Sequence, residues 1–235
     1  MRELNVLKTS LSKKLFSQEL RFKDDNKNSF PEWKTKKVGE IYSFKTTNSL
    51  SRENLTFQNG DVKNIHYGDI HTKFRTLFDI IREEVPYITN SVSLEKVSED
   101  NYLKVRDMIF ADASEDLNDV GKSIEIINLN NQRVLSGLHT ILARPQEGII
   151  NLGFGGYLFK SPKVRTQIQK ESQGSKVLSI SPTRLSNVEI LIPKLEEQMK
   201  ITNLLSSVDS KIDVEAQLLL RLEKQKQFLL HQLFV

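Results

Sequence analysis

Residues 195–233 read LEEQMKITNLLSSVDSKIDVEAQLLLRLEKQKQFLLHQL, and their pattern predicts the structure of the C-terminal part of the chain. It contains neither glycine nor proline, and its apolar residues recur at alternating intervals of four and three. These apolar positions are Ile201, Leu205, Val208, Ile212, Leu219, Leu222, Leu229 and Leu233. Only Glu215 and Lys226 interrupt the stripe, so the pattern is typical of a coiled coil.

A helix over this stretch would be about 58 Å long, at about 1.5 Å per residue. Pro193 at its entrance, with Glu196 and Glu197 in its first turn, favours helix initiation. One helix of this length cannot cover its own apolar stripe, so the sequence predicts a partner helix. The alternative is an ordinary helix that packs on the core of its own chain.

The N-terminal residues 1–22 predict a second, shorter helix. Their leucines are spaced three, four and four residues apart, which places them on one helical face. They are Leu4, Leu7, Leu11 and Leu15. Residues 23–37 begin with a polar run that is typical of a linker, and Phe30 and Trp33 indicate entry into a packed domain.

Residues 30–193 are expected to form a mixed α/β body, which makes the predicted fold class α+β. Many short strands with few regular helices argue against a doubly wound nucleotide-binding sheet. The predicted strands are Val62–Ile70, Met108–Ala111, Ile124–Leu129, Gly137–Ala143, Tyr157–Phe159, Val177–Ile180 and Val188–Ile192. The predicted short helices are Leu77–Val85 and Pro162–Glu171.

Composition excludes several classes of protein. The 235 residues include no cysteine, which excludes thiol catalysis, thiolate metal sites and disulfides. No apolar run is long enough for a membrane span and no secretion signal is present, so the expected location is the cytoplasm. The net charge of +4 is mild, but it is unevenly distributed. Residues 160–184 carry six bases and one acid, whereas residues 94–125 carry four bases and nine acids.

The sequence does not match the catalytic and ligand-binding motifs with which it can be compared. Residues 116–123 approach a phosphate-binding loop, but Asp116 stands where the first glycine is needed. A calcium loop there lacks its central glycine and its closing glutamate. In an extended segment His66 and His71 would face opposite sides, which argues against a metal site. The sequence therefore predicts no enzymatic activity, no metal and no cofactor.

Nearly from end to end, the chain resembles the specificity subunit of Type I restriction–modification enzymes. The resemblance is carried by short phrases in a characteristic order and spacing. They are Leu15–Phe22, Phe30–Trp33, Val38–Ile41, Ile65–Lys73, Phe110–Asp116, Val120–Ser123, Ser136–Thr140, Gly156–Phe159, Gln173–Val177, Ile192–Pro193 and Glu197–Gln198.

The resemblance implies a target-recognition domain over residues 30–193 that reads one half of a bipartite DNA sequence. Residues 194–235 would be the coiled-coil spacer helix, which docks methylation subunits and, through them, restriction subunits. Methylation and DNA cleavage would reside in those partners. A full specificity subunit carries two recognition domains and this chain has one, so we expect a half subunit that forms an antiparallel homodimer through Ile201–Leu233.

The candidate DNA contacts lie in two segments, the basic stretch and the phrase around Tyr67–Phe74. Lysine and arginine can neutralise phosphates, while serine, threonine and histidine can bond phosphates or base edges. The candidates are His71, Thr72, Lys73, Arg75, Lys160, Ser175, Lys176, Ser179, Ser181 and Arg184. A competing interpretation is a coiled-coil dimerisation module that binds another protein and reads no DNA.

Overall fold

The structure is a computed structural model that describes residues 2–233, with the side chain of Leu233 excepted. It confirms the α+β class, with a short N-terminal helix and a long C-terminal one. The helices are α1 (Arg2–Phe16), α2 (Val38–Ile41), α3 (Tyr67–Thr72), α4 (Phe154–Leu158), α5 (Pro162–Glu171), α6 (Pro182–Ser186) and α7 (Leu195–Leu233).

The strands are short and form two larger sheets and two small ones. They are β1 (Lys34–Lys37), β2 (Tyr42–Lys45), β3 (Leu55–Thr56), β4 (Val62–Ile65), β5 (Leu77–Asp79), β6 (Tyr87–Ile88), β7 (Met108–Ala111), β8 (Ala113–Ser114), β9 (Ser123–Asn128), β10 (Arg133–Ser136), β11 (Thr140–Pro145), β12 (Leu178–Ser179) and β13 (Glu189–Ile192). The sheet orders are β2-β11-β7-β9-β5 and β10-β4-β6-β3, with β1 paired to β13 and β8 to β12. Both larger sheets are mixed, because β5 runs parallel to β9 and β10 parallel to β4.

The main hydrophobic core joins the body to both terminal helices. Leu15 and Phe16 of α1 and Ile201 and Leu205 of α7 are buried in it. It also contains Phe154 of α4, whose ring lies 5.8 Å from that of Phe16. The start of α7 is therefore part of the folded body and leaves it in a defined direction.

Two polar side chains in the first turn of α7 hold it to the body. The buried Glu197 carboxylate accepts hydrogen bonds from Arg21 (3.0 and 3.1 Å) and from Trp33 Nε1 (3.1 Å). The buried Gln198 amide accepts from Asn151 N at 2.7 Å and donates to Ile149 O at 2.9 Å. Buried polar groups satisfied in this way orient the helix as well as stabilise it.

The long helix was predicted correctly, but its apolar stripe is buried in the core in its first part and exposed in its second part. Ile201 and Leu205 are 1% and 0% exposed because they pack in the core of their own chain, so the prediction that they pair with a second copy is wrong. Beyond Ile212 the helix projects from the body, and Leu219, Leu222 and Leu229 are 44%, 52% and 49% exposed. The side chain of Leu233 lies outside the described residues.

Two predicted segments differ from the structure near α3. Val62–Ile70 is not one strand, because β4 ends at Ile65 and His66 caps α3 by accepting a hydrogen bond from Gly68 N at 3.1 Å. Leu77–Val85 is not a helix, because its first residues form β5, which pairs with β9. The local pattern did not predict these two differences. The helix cap at His66 and the parallel pairing of β5 with β9 override the intrinsic secondary-structure preferences of the residues.

The segment Tyr157–Phe159, predicted as a strand, instead contains the end of α4. Its aromatic residues suggest a strand. However, the backbone N–H groups of Gly153 and Gly156 donate hydrogen bonds to the buried Glu125 carboxylate, and these bonds hold the start of α4. The predicted helix Pro162–Glu171 matches α5 at both ends. There the proline at the first position and an apolar face determine the helix locally.

Candidate nucleic-acid interface

The α3 region carries four of the predicted DNA contacts on a short helix and the turn after it. Its buried charged residue is Asp69, which is 1% exposed and accepts from Arg52 at 2.9 Å and from Lys73 at 3.1 Å. Lys73 therefore neutralises a buried carboxylate, and its ammonium also lies 5.9 Å from the centre of the Phe57 ring. Thr72 is exposed and donates its hydroxyl to Gly68 O at 2.8 Å.

The structure brings the two predicted segments together at β8. His71 Nε2 lies 3.1 Å from Ala113 O, and the other neighbour of β8 is β12, where Ser179 pairs with Ala113. His66 and His71 are not on opposite faces of a strand as expected, because one caps α3 and the other lies in its last turn.

A tight turn connects α5 to β12 and carries the most exposed candidates. Gln173 and Ser179 exchange backbone hydrogen bonds of 2.8 and 2.7 Å across it. Gly174 has φ +132°, and a Cβ there would lie 1.9 Å from Val177 O, so the turn requires glycine. Ser175 and Lys176 are exposed and make no side-chain hydrogen bond or ion pair with any described residue. These two side chains are available to a ligand.

Two other candidates stabilise local structure. Ser181 caps α6 by accepting from Arg184 N at 3.3 Å. The Arg184 guanidinium donates to the Glu171 carbonyl at 3.2 Å and pairs with its carboxylate at 3.4 Å. These contacts connect α5 to α6 and support the turn that carries Lys176.

Arg75 and Lys160 line a cleft of about 550 Å³ between the body, α1 and α7, and His71 and Thr72 of α3 line the same cleft. Arg75 pairs with Asp213 of α7, which Arg82 also approaches at 3.4 Å. The Lys160 ammonium contacts Thr76 Oγ1. Both candidates therefore lie where the body meets its helices, away from the exposed turn.

Sequence reasoning missed the other cations of the cleft, Lys8, Arg82 and Lys122. Each comes from a different segment, so no local spacing connects them. Lys8 pairs with Asp209 of α7 at 2.5 Å, and Asp209 accepts from Tyr157 at 2.7 Å. Lys122 donates to His71 O at 2.6 Å, so the cleft and α3 share a wall.

The acidic loop after β8 is held by hydrogen bonds within the loop and to α5. Asp116 Oδ1 accepts a hydrogen bond from Asn118 N at 2.8 Å. Arg165 of α5 donates to Asn118 O and Val120 O at 2.9 and 2.7 Å, which closes the loop against the body. His139 lies in the turn before β11, with φ +55°, and its Nδ1 is 3.3 Å from Asp112.

Within the described residues, no three histidine, aspartate or glutamate side chains are grouped so that they could hold a metal ion. Over the same part of the chain, no helix combines the length and the apolar character needed to cross a membrane.

Comparison with known proteins identifies the family. The model of the Type I restriction modification DNA specificity domain matches residues 31–224, which include the body and most of α7. The chain belongs to this family. No curated protein matches the sequence.

Solved structures show the same fold at low sequence identity. The HsdS subunit from Thermoanaerobacter tengcongensis is 14% identical, with a TM-score of 0.58 over 91% of this chain and 45% of its own. The S subunit from M. genitalium is also 14% identical, with a TM-score of 0.56 over 88% and 45%. A chain from work on complex assembly and conformational transition of the type I R-M system is 17% identical, with a TM-score of 0.57 over 97% and 52%. The chain thus spans about half the length of these structures.

Glu125 is a buried carboxylate of the specificity domain with a strongly raised pKa. It accepts from Gly153 N at 2.6 Å and from Gly156 N at 2.7 Å, and no described cation pairs with it. Burial raises its pKa to about 7, although the two backbone amides lower it in part. Since Tyr157 of the same helix bonds Asp209, Glu125 supports the contact between α4 and α7.

We expect Glu125 to make the stability of the specificity domain fall as pH rises. Its pKa is higher in the folded than in the unfolded chain, so the folded state holds an extra proton between pH 4.5, the ordinary pKa of a glutamate, and about 7. Below this pH window the protonated carboxyl contributes fully to the free energy of unfolding. As the pH rises through the window this contribution, up to about 3 kcal/mol, is lost. Urea unfolding across the window should show a steeper decline for wild type than for Glu125→Gln. The exposed Glu95→Gln is the control, and identical slopes in all three proteins would contradict the assignment.

Proposed function

We propose that the chain is a non-catalytic DNA-recognition subunit of a Type I restriction–modification complex. The observation that carries the proposal is the family match, which runs without interruption from the body into the long helix. In this proposal residues 30–193 are the target-recognition domain, residues 194–235 are the spacer helix, and residues 1–22 contribute the short helix packed against it.

The exposed turn and α3 are the proposed DNA-contacting surface. Lys176 and Ser175 are free to bond a phosphate, and Gly174 lets the backbone approach closely. His71 and Thr72 lie on the other side of β8 and are proposed to reach base edges. Lys73 and Ser179 flank these groups, whereas Ser181 and Arg184 support the turn from beneath.

The exposed half of α7 supports a homodimer. Its apolar stripe continues past Ile212 through Leu219, Leu222 and Leu229, which are about half exposed, and exposed stripes of this kind need a partner helix. Antiparallel pairing with a second copy would place two recognition domains on a two-fold axis. The DNA target is then two inverted copies of one half-site at a fixed separation.

Catalysis is proposed to reside in the partners. Methylation subunits would dock on the helices and modify adenine with S-adenosylmethionine, and restriction subunits would join through them. The chain itself would need no cofactor.

Selection of random-sequence duplexes by the chain, with methylation subunits present, tests this proposal. We expect enrichment of a bipartite inverted repeat at one fixed spacing. Enrichment of a single half-site would support DNA readout but contradict the symmetric dimer. Binding to methylation subunits without any enrichment would instead support the competing interaction-module interpretation.

Lys176→Ala should weaken binding by a similar factor on every duplex, because a phosphate contact carries no sequence information. The slope of log affinity against log salt should become shallower by about 1. Lys96→Ala, an exposed lysine of the acidic segment, is the matched control. Fluorescence anisotropy over a salt series gives both quantities, and an unchanged slope would exclude Lys176 as a phosphate contact.

A further inference from the structure

The cleft between the body, α1 and α7 holds more positive than negative charge. Its lining contains five cations, Lys8, Arg75, Arg82, Lys122 and Lys160, and three acids, Asp79, Asp209 and Asp213, a net charge of +2. The acids are already engaged: Asp213 pairs with Arg75 and Arg82, Asp209 with Lys8, and Asp79 with Arg82.

Lys122 and Lys160 are the two cations of the lining that pair with none of its acids. The ammonium of Lys160 contacts Thr76 Oγ1, and no carboxylate among residues 2–232 lies within ion-pair distance of it. Lys122 donates to His71 O at 2.6 Å and pairs at 3.4 Å with Asp119, which lies outside the lining of the cleft. The Lys160 ammonium therefore lacks a carboxylate partner, and that of Lys122 has its partner on the side away from the cavity lining.

The cations of the cleft lie close enough to affect one another. Burial of the ammonium, together with Lys8 and Lys122, lowers the pKa of Lys160 to about 8. The residue as a whole remains exposed, so the site is open to solvent. Bringing like charges together costs free energy, and a bound anion would offset that cost.

A neutral group that can bond an anion lies in the same wall. The Thr76 hydroxyl accepts from the Lys160 ammonium and can donate its own proton to an anion. A phosphate group carries up to two negative charges and several acceptor oxygens, which matches two lysines and a hydroxyl donor better than a monovalent ion does.

We propose that this cleft is a phosphate-binding site whose principal ligands are Lys122 and Lys160. The phosphate could belong to a DNA backbone or to a small molecule, because the same groups recognise both. Only the DNA form rests on the proposed function. A phosphate bound here would contact the body between α1 and α7 and would stabilise the angle at which the spacer helix leaves it.

Titration of the full chain with inorganic phosphate tests the site, with potassium chloride as the control at matched ionic strength. Lysine side-chain NMR should show saturable shifts at Lys122 and Lys160 and a rise in the pKa of Lys160. Loss of one charge-assisted hydrogen bond should weaken phosphate binding by about 10- to 100-fold in Lys160→Met and in Lys122→Met. Lys170→Met, an exposed lysine of α5 outside the cleft, should bind as wild type does.

Equal phosphate affinity in all four proteins, or shifts no larger than those with chloride, would overturn the proposal. Circular dichroism of each variant separates lost binding from lost folding, and the two substitutions test the site independently.

Duplex binding by the same variants identifies the source of the phosphate. A matching loss of duplex affinity in Lys160→Met, with inorganic phosphate competing against duplex, would assign the site to the DNA backbone. Loss of phosphate binding with unchanged duplex affinity would assign it to a small phosphate ligand. Phosphate binding that persists when selection finds no DNA target would support the site while contradicting the proposed function.

Discussion

Replacing Leu222 and Leu229 with glutamate should convert the proposed dimer to a monomer while leaving each body folded. Both leucines are about half exposed within one chain, so the substitution removes little of the intramolecular core. In the dimer their remaining exposed surface would be buried, which is about half of the roughly 1.5–3 kcal/mol that full burial of a leucine contributes. Four leucines per dimer amount to roughly 3–6 kcal/mol, which weakens dimerisation by about two to four powers of ten.

Sedimentation at micromolar concentration measures this change directly. Gln217→Glu with His231→Glu is the matched control, because both residues are exposed, lie away from the stripe and add the same two negative charges. The control should stay dimeric. A wild-type chain that sediments as a monomer, with and without methylation subunits, would contradict the homodimer.

Replacing Arg144 with methionine should destabilise the body by about 3–5 kcal/mol, because it leaves a buried carboxylate without a partner. Arg144 bonds both carboxylate oxygens of Asp107 at 2.8 Å, and Asp107 is 0% exposed. It also donates to Tyr102 O at 2.8 Å and to Asp100 Oδ1 at 2.6 Å, which connects β11 to the loop before β7. Burial already raises the pKa of Asp107, and Arg144 opposes that rise.

Chemical denaturation compares this variant with Arg133→Met. Arg133 pairs with the exposed Glu99 at 2.5 Å and stacks on Tyr102, so its loss should destabilise the body far less than the loss of Arg144 does. Adding Asp107→Asn to Arg144→Met should recover part of the stability, since no buried charge remains. Similar losses for the two arginine variants would contradict the role assigned to the buried pair.

Elements with strong local patterns were predicted well. The helix α5 matches at both ends, and β7 and β13 lie where short β-branched and apolar runs placed them. The segments predicted wrongly depend on distant residues. The glycine amides of Gly153 and Gly156 meet Glu125 across 28 and 31 residues, and β5 pairs with a strand almost 50 residues away.

Some residues of the candidate site could likewise be predicted from local sequence, whereas others depend on distant parts of the chain. The basic composition of residues 160–184 drew attention to Lys176 and Lys160, but nothing local distinguishes a free lysine from one at the edge of a cleft. Lys8 and Lys122 could not be selected from sequence, because their proximity to Lys160 depends on how α1 and β9 pack against the body.

The long helix, its apolar stripe, the mixed body and the resemblance to the specificity family could all be predicted from the sequence, because periodicity and short phrases are local properties of a chain. The division of the stripe near Ile212, with its first half in the core and its second half exposed, depends on tertiary packing. Spacing reveals which face of a helix is apolar but not what covers that face. The covering residues of α1 and the body come from distant parts of the chain, and folding alone brings them there.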